Sequence, residues 1–245
     1  MIPKIIHYCW LGEDEYPLLV RKCIVSWHEK MPDWEYRLWD KKCLDEIDVP
    51  WVHEAYKAKV FSHAADYIRL YAVYKYGGFY FDSDVEVLKD FSPLTVLPYV
   101  IGHENGTGYI EAATFGAEAG NAYIKKCMEW YHDKHFVNAD GSYNYKMTIT
   151  RMMKETLEEF ITINSIEVFD NNKKDIQLFS PQFFSPKNGA YRKLTDLTEN
   201  TYSIHHFRNS WMPFRSMFAT FIWRHFGDRV YLPMIAIWKR IKTKE

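Results

Sequence analysis

Along the first ninety residues the apolar positions switch between two periods. "KIIHYCW" is short, apolar and β-prone, and the turn residues of "LGEDEYP" follow it, which predicts a strand and then a loop. From Pro17, the residues Leu18, Leu19, Cys23 and Trp27 recur at helical spacing until Pro32 closes the segment. "WEYRLWD" then alternates through Trp34, Tyr36 and Leu38, a second strand ending on Asp40. Strand, helix, strand is how an α/β fold begins. "WVHEAYKAK" reads as a short helix and "SHAADYIRLYAVYKY" as a longer one, stopped by Gly77 and Gly78 as its C-cap. "YGGFYFDSDVEVLKD" follows as a third strand, with Asp82 and Asp84 one residue apart.

Further on, "YVIGHE" and "EAATFGAE" predict strands, and amphipathic helices are expected near 121–136 and 148–160. Residues 166–209 hold short β-like runs ("IEVF", "IQLFS", "TYSIHHF") separated by Asn, Pro and Gly. After Trp211 the pattern changes. Residues 212–245 contain seven Lys or Arg against Asp228 and Glu245. Phe214, Met217, Phe218, Phe221, Ile222 and His225 fall on one helical face, and Met234, Ile237, Trp238 and Ile241 repeat the spacing. Such a tail is either a helical pair packed on a core or a basic, aromatic anchor for an anionic membrane surface. The expected division is one domain over 1–211 and an amphipathic helical tail over 212–245.

Length and composition refine this picture. A chain of 245 residues suits one core with an appendage. With 47% hydrophobic and 26% charged residues it is a folded chain rather than a disordered one. Aromatics reach 18%, more than a core fully buries, so some are expected to line a groove or surface. A net charge of −1 offers no electrostatic footprint for nucleic acid. Cys9, Cys23, Cys43 and Cys127 form no CxxC pair and no tight cluster, which argues against a zinc knuckle or a disulfide framework and suits a reducing compartment. "MIPKIIHYCW" lacks the layout of a signal peptide, and no apolar run approaches the ~18 residues that span a bilayer. The expected location is cytoplasmic, with the tail as the candidate contact to the membrane face.

Four features can carry chemistry. Asp66 and Arg69, i and i+3 on an otherwise apolar helix, share a face and need partners there, either each other or a ligand. Asp82 and Asp84 lie two apart in an extended run, which points both carboxylates to one side. Like charges that close call for a cation between them or for a proton. Hard oxygen ligands suit Mg²⁺ or Mn²⁺, and the carboxyl end of a strand in an open α/β sheet is where ligands bind. In "TYSIHHFRNSW", His205 and His206 are adjacent on a strand and point to opposite faces, so at most one reaches a shared site. Ser210 and Trp211 offer a hydroxyl and an indole N–H to phosphate oxygens. Trp10, at the end of the first strand, is either a core ring or a platform for a planar base.

In order and spacing, "IPKIIHYCWLG", "SWHEKMPDWEYRLWD", "AADYIRLYAVYKYGGFYFDSDVEVLK" and "HHFRNSW" resemble glycosyltransferase family 32, the DxD-containing sugar transferases. That group includes bacterial capsular and surface polysaccharide transferases and Golgi mannosyltransferases, and the glucosylating domains of large bacterial toxins are similar. The resemblance runs from residue 2 to about 211, dense over 2–40 and 61–90 and absent from the tail. It implies an α/β fold of the GT-A type, a Rossmann-like nucleotide-sugar-binding half followed by an acceptor half. It also implies a nucleotide-sugar donor, favoured as UDP-sugar, with Mn²⁺ or Mg²⁺ as cofactor and retention of anomeric configuration. The acceptor would be a glycan or lipid-linked oligosaccharide in surface or capsular polysaccharide synthesis. Carried over by motif, Trp10 stacks on the base, Asp66 and Arg69 contact the donor sugar and its phosphate side, and Tyr80 lines the donor pocket. Asp82 and Asp84 hold ribose and metal, His206 completes the metal shell, and Ser210 and Trp211 hold the β-phosphate.

Two other classes remain. "FYFDSDVEV" also fits the DxDx(T/V) strand end of haloacid-dehalogenase-type phosphatases, in which the first Asp attacks phosphate. That reading leaves Trp10, Asp66 with Arg69, and "HHFRNSW" without a role. A non-catalytic nucleotide-sugar-binding module would keep the site without turnover.

Overall fold

The structure, a computed structural model, describes residues 1–158, 163–166, 176–188 and 193–208, together with Pro233. The chain divides between Phe207 and Arg208, and the architecture below is that of Met1–Phe207. The expected boundary at 211/212, Ser210, Trp211, and the tail apart from Pro233 lie outside the described residues.

The opening follows the predicted order: β1 (Ile5–Cys9), α1 (Leu18–Lys30), β2 (Glu35–Trp39), α2 (Pro50–Lys57), α3 (Phe61–Tyr76) and β3 (Gly78–Phe81). The chain continues through β4 (Val85–Val87), β5 (Tyr99–Val100), β6 (Thr114–Ala117), α4 (Ala122–Glu129) and α5 (Ile149–Glu158). Then come β7 (Ile163–Ile166), β8 (Ile176–Phe179), the one-turn α6 (Pro181–Phe184), and β9 (Ser203–His205). Among the described residues the main sheet has five strands in the order β2-β1-β3-β6-β5. β1 runs parallel to β2 and β3, whereas β6 is antiparallel to both β3 and β5. Two further pairs stand apart, β4 with β9 antiparallel and β7 with β8 parallel.

Helices cover both faces of the main sheet. On one side Phe79 and Phe81 pack with Trp27 of α1, Phe91, Phe179 and Phe184. On the other, Tyr80 and Phe115 join residues of α2, α3, α4 and α5. β3 is therefore buried along its whole length, which is why it reads "GFYF" without polar alternation. Two residues of the predicted periods do not face the core. Leu18 and Leu38 are exposed: α1 buries Val20 together with Cys23 and Trp27, and the edge strand β2 buries Trp39 rather than Leu38.

The junction of α3 and β3 sets the position of everything downstream. Gly77 and Gly78 have φ of +66° and +100°, and a Cβ on Gly78 would lie 2.6 Å from the Ile5 carbonyl oxygen. Only glycine allows that backbone to press against β1. His7 of β1 closes the same junction: its Nε2–H donates to the Gly77 carbonyl at 2.8 Å, and Nδ1 accepts from the Trp39 indole at 3.1 Å. Burial lowers the His7 pKa to about 4, so the ring is neutral in the bonded form.

Candidate active site

The two aspartates sit where β3 ends, but not on a continuous strand. The chain turns after Asp82, with Val85 N–H donating to the Asp82 carbonyl at 3.0 Å, and only then resumes as β4. The carboxylates still converge, through the turn rather than through strand parity. Asp82 itself is tied to the sheet by its own N–H, which donates to the Ala113 carbonyl at 2.8 Å.

Both oxygens of Asp82 already take donors from the protein. Tyr80 O–H donates to Oδ1 at 3.0 Å, and the Arg69 guanidinium reaches Oδ2 at 3.3 Å. Arg69 also meets Asp66 Oδ1 at 3.2 Å, donates to the Ala112 carbonyl at 2.9 Å, and lies 4.7 Å from the Tyr80 ring centre. Three of the residues expected to contact the donor thus form one buried brace behind Asp82. The charges within it are unequally served. Burial works against the Arg69 guanidinium, yet Asp82, Tyr80 and Asp66 together hold it firmly charged. Asp66 has only Arg69 to oppose burial and the neighbouring Asp82 charge, and its carboxyl rises to about 7.

β4 brings the remaining groups. Its backbone is fixed on α1, with Trp27 Nε1–H donating to the Val85 carbonyl at 2.6 Å and Val87 N–H to Ser26 Oγ at 2.9 Å. β9 pairs with it in a register that sets His205 opposite Val85. Asp82, Asp84 and His205 consequently offer ligand atoms that all lie within 4.8 Å of one another. His205 Nε2 is 3.7 Å from Asp84 Oδ1, and Nδ1 is 3.2 Å from Oε1 of the fully buried Glu111. Burial would lower the His205 pKa, but Glu111, Asp84 and Asp82 raise it to about 10. Two carboxylates and an imidazole are a donor set that suits Mn²⁺ or Mg²⁺. The crowding of negative charge there, with Glu111 Oε2 and His205 Nδ1 both buried without an aligned hydrogen bond among the described residues, fits a site that a cation completes.

The histidine choice is corrected. His206, expected in the metal shell, turns the other way and meets Glu86 Oε2 at 2.8 Å, while its N–H donates to the Asp84 carbonyl at 3.1 Å. Adjacent residues do face opposite sides, as parity requires, and the β4–β9 register selects His205. Trp10 is half-buried after β1, its indole N–H on the Asp14 carbonyl at 3.1 Å and its ring edge-to-face with Tyr16. Because β1 and β3 are parallel, Trp10 and Asp82 follow the carboxyl ends of neighbouring strands. Two acids were missed, the fully buried Glu111 and the partly buried Glu104. Glu111 begins a run that reads as an apolar strand, and its position within "IEAATFGA" was the available signal. Glu104 lies nearby; burial and then the Glu111 charge push its carboxyl up.

Residues 17–104 match the family model described as glycosyltransferase sugar-binding region containing DXD motif. Over 129 residues the chain is 31% identical to inositol phosphoceramide mannosyltransferase 3 of Schizosaccharomyces pombe, covering 50% of this chain and 35% of that protein. Over 115 residues it is 30% identical to mannosyl phosphorylinositol ceramide synthase CSH1 of Saccharomyces cerevisiae, covering 44% and 30%. The chain spans about a third of the length of these curated relatives. Among solved structures, the PaToxG glycosyltransferase is similar with a TM-score of 0.50 at 17% identity, over 64% of this chain and 69% of that one. The fold is thus the α/β arrangement of GT-A type that the sequence led us to expect.

Proposed function

We propose that this chain, whose residues 17–104 match a DXD-containing glycosyltransferase sugar-binding region, transfers a sugar from a nucleotide-sugar donor to a glycan or lipid-linked glycan acceptor, with retention of configuration. The observation that carries this reading is the convergence of Asp82, Asp84 and His205 on one point, with Asp82 braced by Arg69 and Tyr80. Asp84 and His205 are the direct ligands of the cation in this account. Asp82, its oxygens already engaged, takes a ribose hydroxyl and shapes the turn. Bound Mn²⁺ or Mg²⁺ supplies Lewis acidity to the departing diphosphate. Arg69 places positive charge beside the phosphate side of the donor, and Asp66 places a carboxyl beside the sugar, where an oxocarbenium-like centre develops. Trp10 offers a ring face to the base. Front-side reaction, with the departing phosphate helping to deprotonate the acceptor hydroxyl, needs no carboxylate nucleophile.

The phosphatase alternative requires Asp82 to attack phosphate. With Tyr80 O–H on one oxygen and Arg69 on the other, Asp82 is held as an acceptor and not aimed as a nucleophile. The names of both curated relatives join mannosyl with ceramide, which supports a lipid-borne acceptor and adds a mannosyl donor to the UDP-sugars worth testing. Among the described residues no helix is long and apolar enough to cross a membrane. The basic, aromatic residues 212–245 supply the membrane contact in this reading, on the cytoplasmic face, in surface polysaccharide synthesis.

A panel of UDP-hexoses and GDP-mannose, with Mn²⁺ and scored by nucleotide release, tests the proposal. One donor turned over only when metal is present is the expected result. Turnover of a generic phosphoester without nucleotide-sugar cleavage would overturn it.

A further inference from the structure

Glu111 is the most enclosed acid near the site, with no exposed surface at all. A buried carboxylate must be served by donors or by positive charge. Its Oε1 accepts the Ala113 N–H at 2.9 Å and lies 3.2 Å from His205 Nδ1. Its backbone is fixed as well, since Glu111 N–H donates to the Gly102 carbonyl at 2.8 Å. The imidazole is therefore held between two acids on opposite edges: Glu111 at Nδ1, and Asp84 3.7 Å from Nε2. A carboxylate at one ring nitrogen makes that nitrogen the N–H and leaves the other as a lone-pair donor.

We infer that Glu111 is a positioning residue: it fixes His205 as the Nδ1–H tautomer and aims Nε2 at the point where Asp82 and Asp84 converge. The inference rests on the metal-dependent reading above. It goes beyond that reading in assigning the tautomer, the ligating nitrogen, and a role for a residue outside the DxD and HHFRNSW motifs. The Nε2 of His206 is taken instead by the half-exposed Glu86, 2.8 Å away. The competing explanation is that Glu111 only anchors its loop through the Ala113 N–H. Glu111→Gln separates the two, because the amide carbonyl keeps the Ala113 bond while the charge on Nδ1 is lost.

The test is Mn²⁺ titration of the full chain without donor, with free Mn²⁺ read by electron paramagnetic resonance. Wild type, Glu111→Gln, His205→Ala and the double variant complete a cycle. Loss of a carboxylate behind a ligating histidine weakens metal binding by about 10- to 100-fold. We expect that loss in Glu111→Gln, and less than about a twofold further change when Glu111→Gln is added to His205→Ala. Unchanged affinity in Glu111→Gln, or an equal loss with His205 already removed, would overturn the assignment. A second measurement needs no variant: ¹⁵N shifts of the His205 ring in wild type with Mg²⁺ should report Nδ1–H and a ligated Nε2. An Nε2–H ring under those conditions contradicts the inference. A wild type that binds no Mn²⁺ at all removes the metal-dependent reading itself, whereas wild-type binding with an indifferent Glu111→Gln removes Glu111 alone.

Discussion

Replacing Asp66 with Asn should make the protein more stable and less active. Asp66 is buried in α3, 3.2 Å from Arg69, and its carboxyl titrates near 7 in the folded chain against 3.8 when unfolded. Burial is the largest cause, Arg69 opposes it, and Asp82 adds to it. Between those two pH values the folded state keeps a proton that the unfolded state has lost. Stability therefore falls as pH rises from about 4 to about 7, and the full loss is present above that window. The separation corresponds to roughly 4 kcal/mol, since each unit of pKa is about 1.4 kcal/mol. Asn resembles the protonated acid at every pH, so Asp66→Asn should gain little near pH 4 and up to about 4 kcal/mol at pH 8. Urea unfolding at pH 4.5, 6 and 8 measures the difference directly. Nucleotide release from the donor should fall in the same variant, because the retained strain serves the site. A variant that is destabilised at pH 8 would show the Asp66–Arg69 pair to be net favourable, and the reasoning would fail.

Three further outcomes follow from the same geometry. His7 and His63 are both held near 4 by burial, against 6.5 unfolded, so the unfolded chain binds more protons between those values. Acidification through that window should cost up to about 3 kcal/mol for each ring, visible as a falling urea midpoint in the Asp66→Asn background, where one opposing carboxyl is silent and the raised Glu104 carboxyl offsets part of the two-ring loss. Gly78→Ala places a Cβ against the Ile5 carbonyl at positive φ, and should destabilise by more than about 2 kcal/mol in thermal or urea unfolding; a neutral result would refute the close approach of the start of β3 to β1. Removal of residues 212–245 should abolish co-sedimentation with anionic liposomes, and full-length protein that ignores such liposomes would rule out the membrane contact.

Local signals carried the amino-terminal half. The period of "LLVRKCIVSWHEK", the glycines after "YAVYKY" and the aromatic run "GFYF" each name their element because the cause lies within a few residues. The pairing of Asp66 with Arg69 was legible for the same reason, since helix phase places the two together; that Asp82 joins them shows only in the fold. What failed was non-local. Leu18 and Leu38 obey the expected periods but face solvent, because which side of α1 or β2 is covered depends on the partner strand and not on the run itself. Strand parity could say that His205 and His206 diverge, but only the pairing of β9 with β4, 116 to 120 residues apart in register, decides which one meets Asp84. Glu111 was hidden more deeply: an acid at the head of an apolar run marks the residue but does not name the histidine that the chain folds against it. The convergence of the two aspartates was expected for the wrong reason, since a turn and not an extended strand brings them together.

The central claim is that Asp84 binds the cation through which the donor is held. Asp84→Ala, compared with wild type for Mn²⁺-dependent nucleotide release at equal folded concentration, tests it most directly. The account predicts loss of metal-dependent turnover by at least about a hundredfold, in keeping with the removal of a direct metal ligand and its charge stabilisation, with an unchanged unfolding midpoint. Full turnover by the folded variant would contradict it.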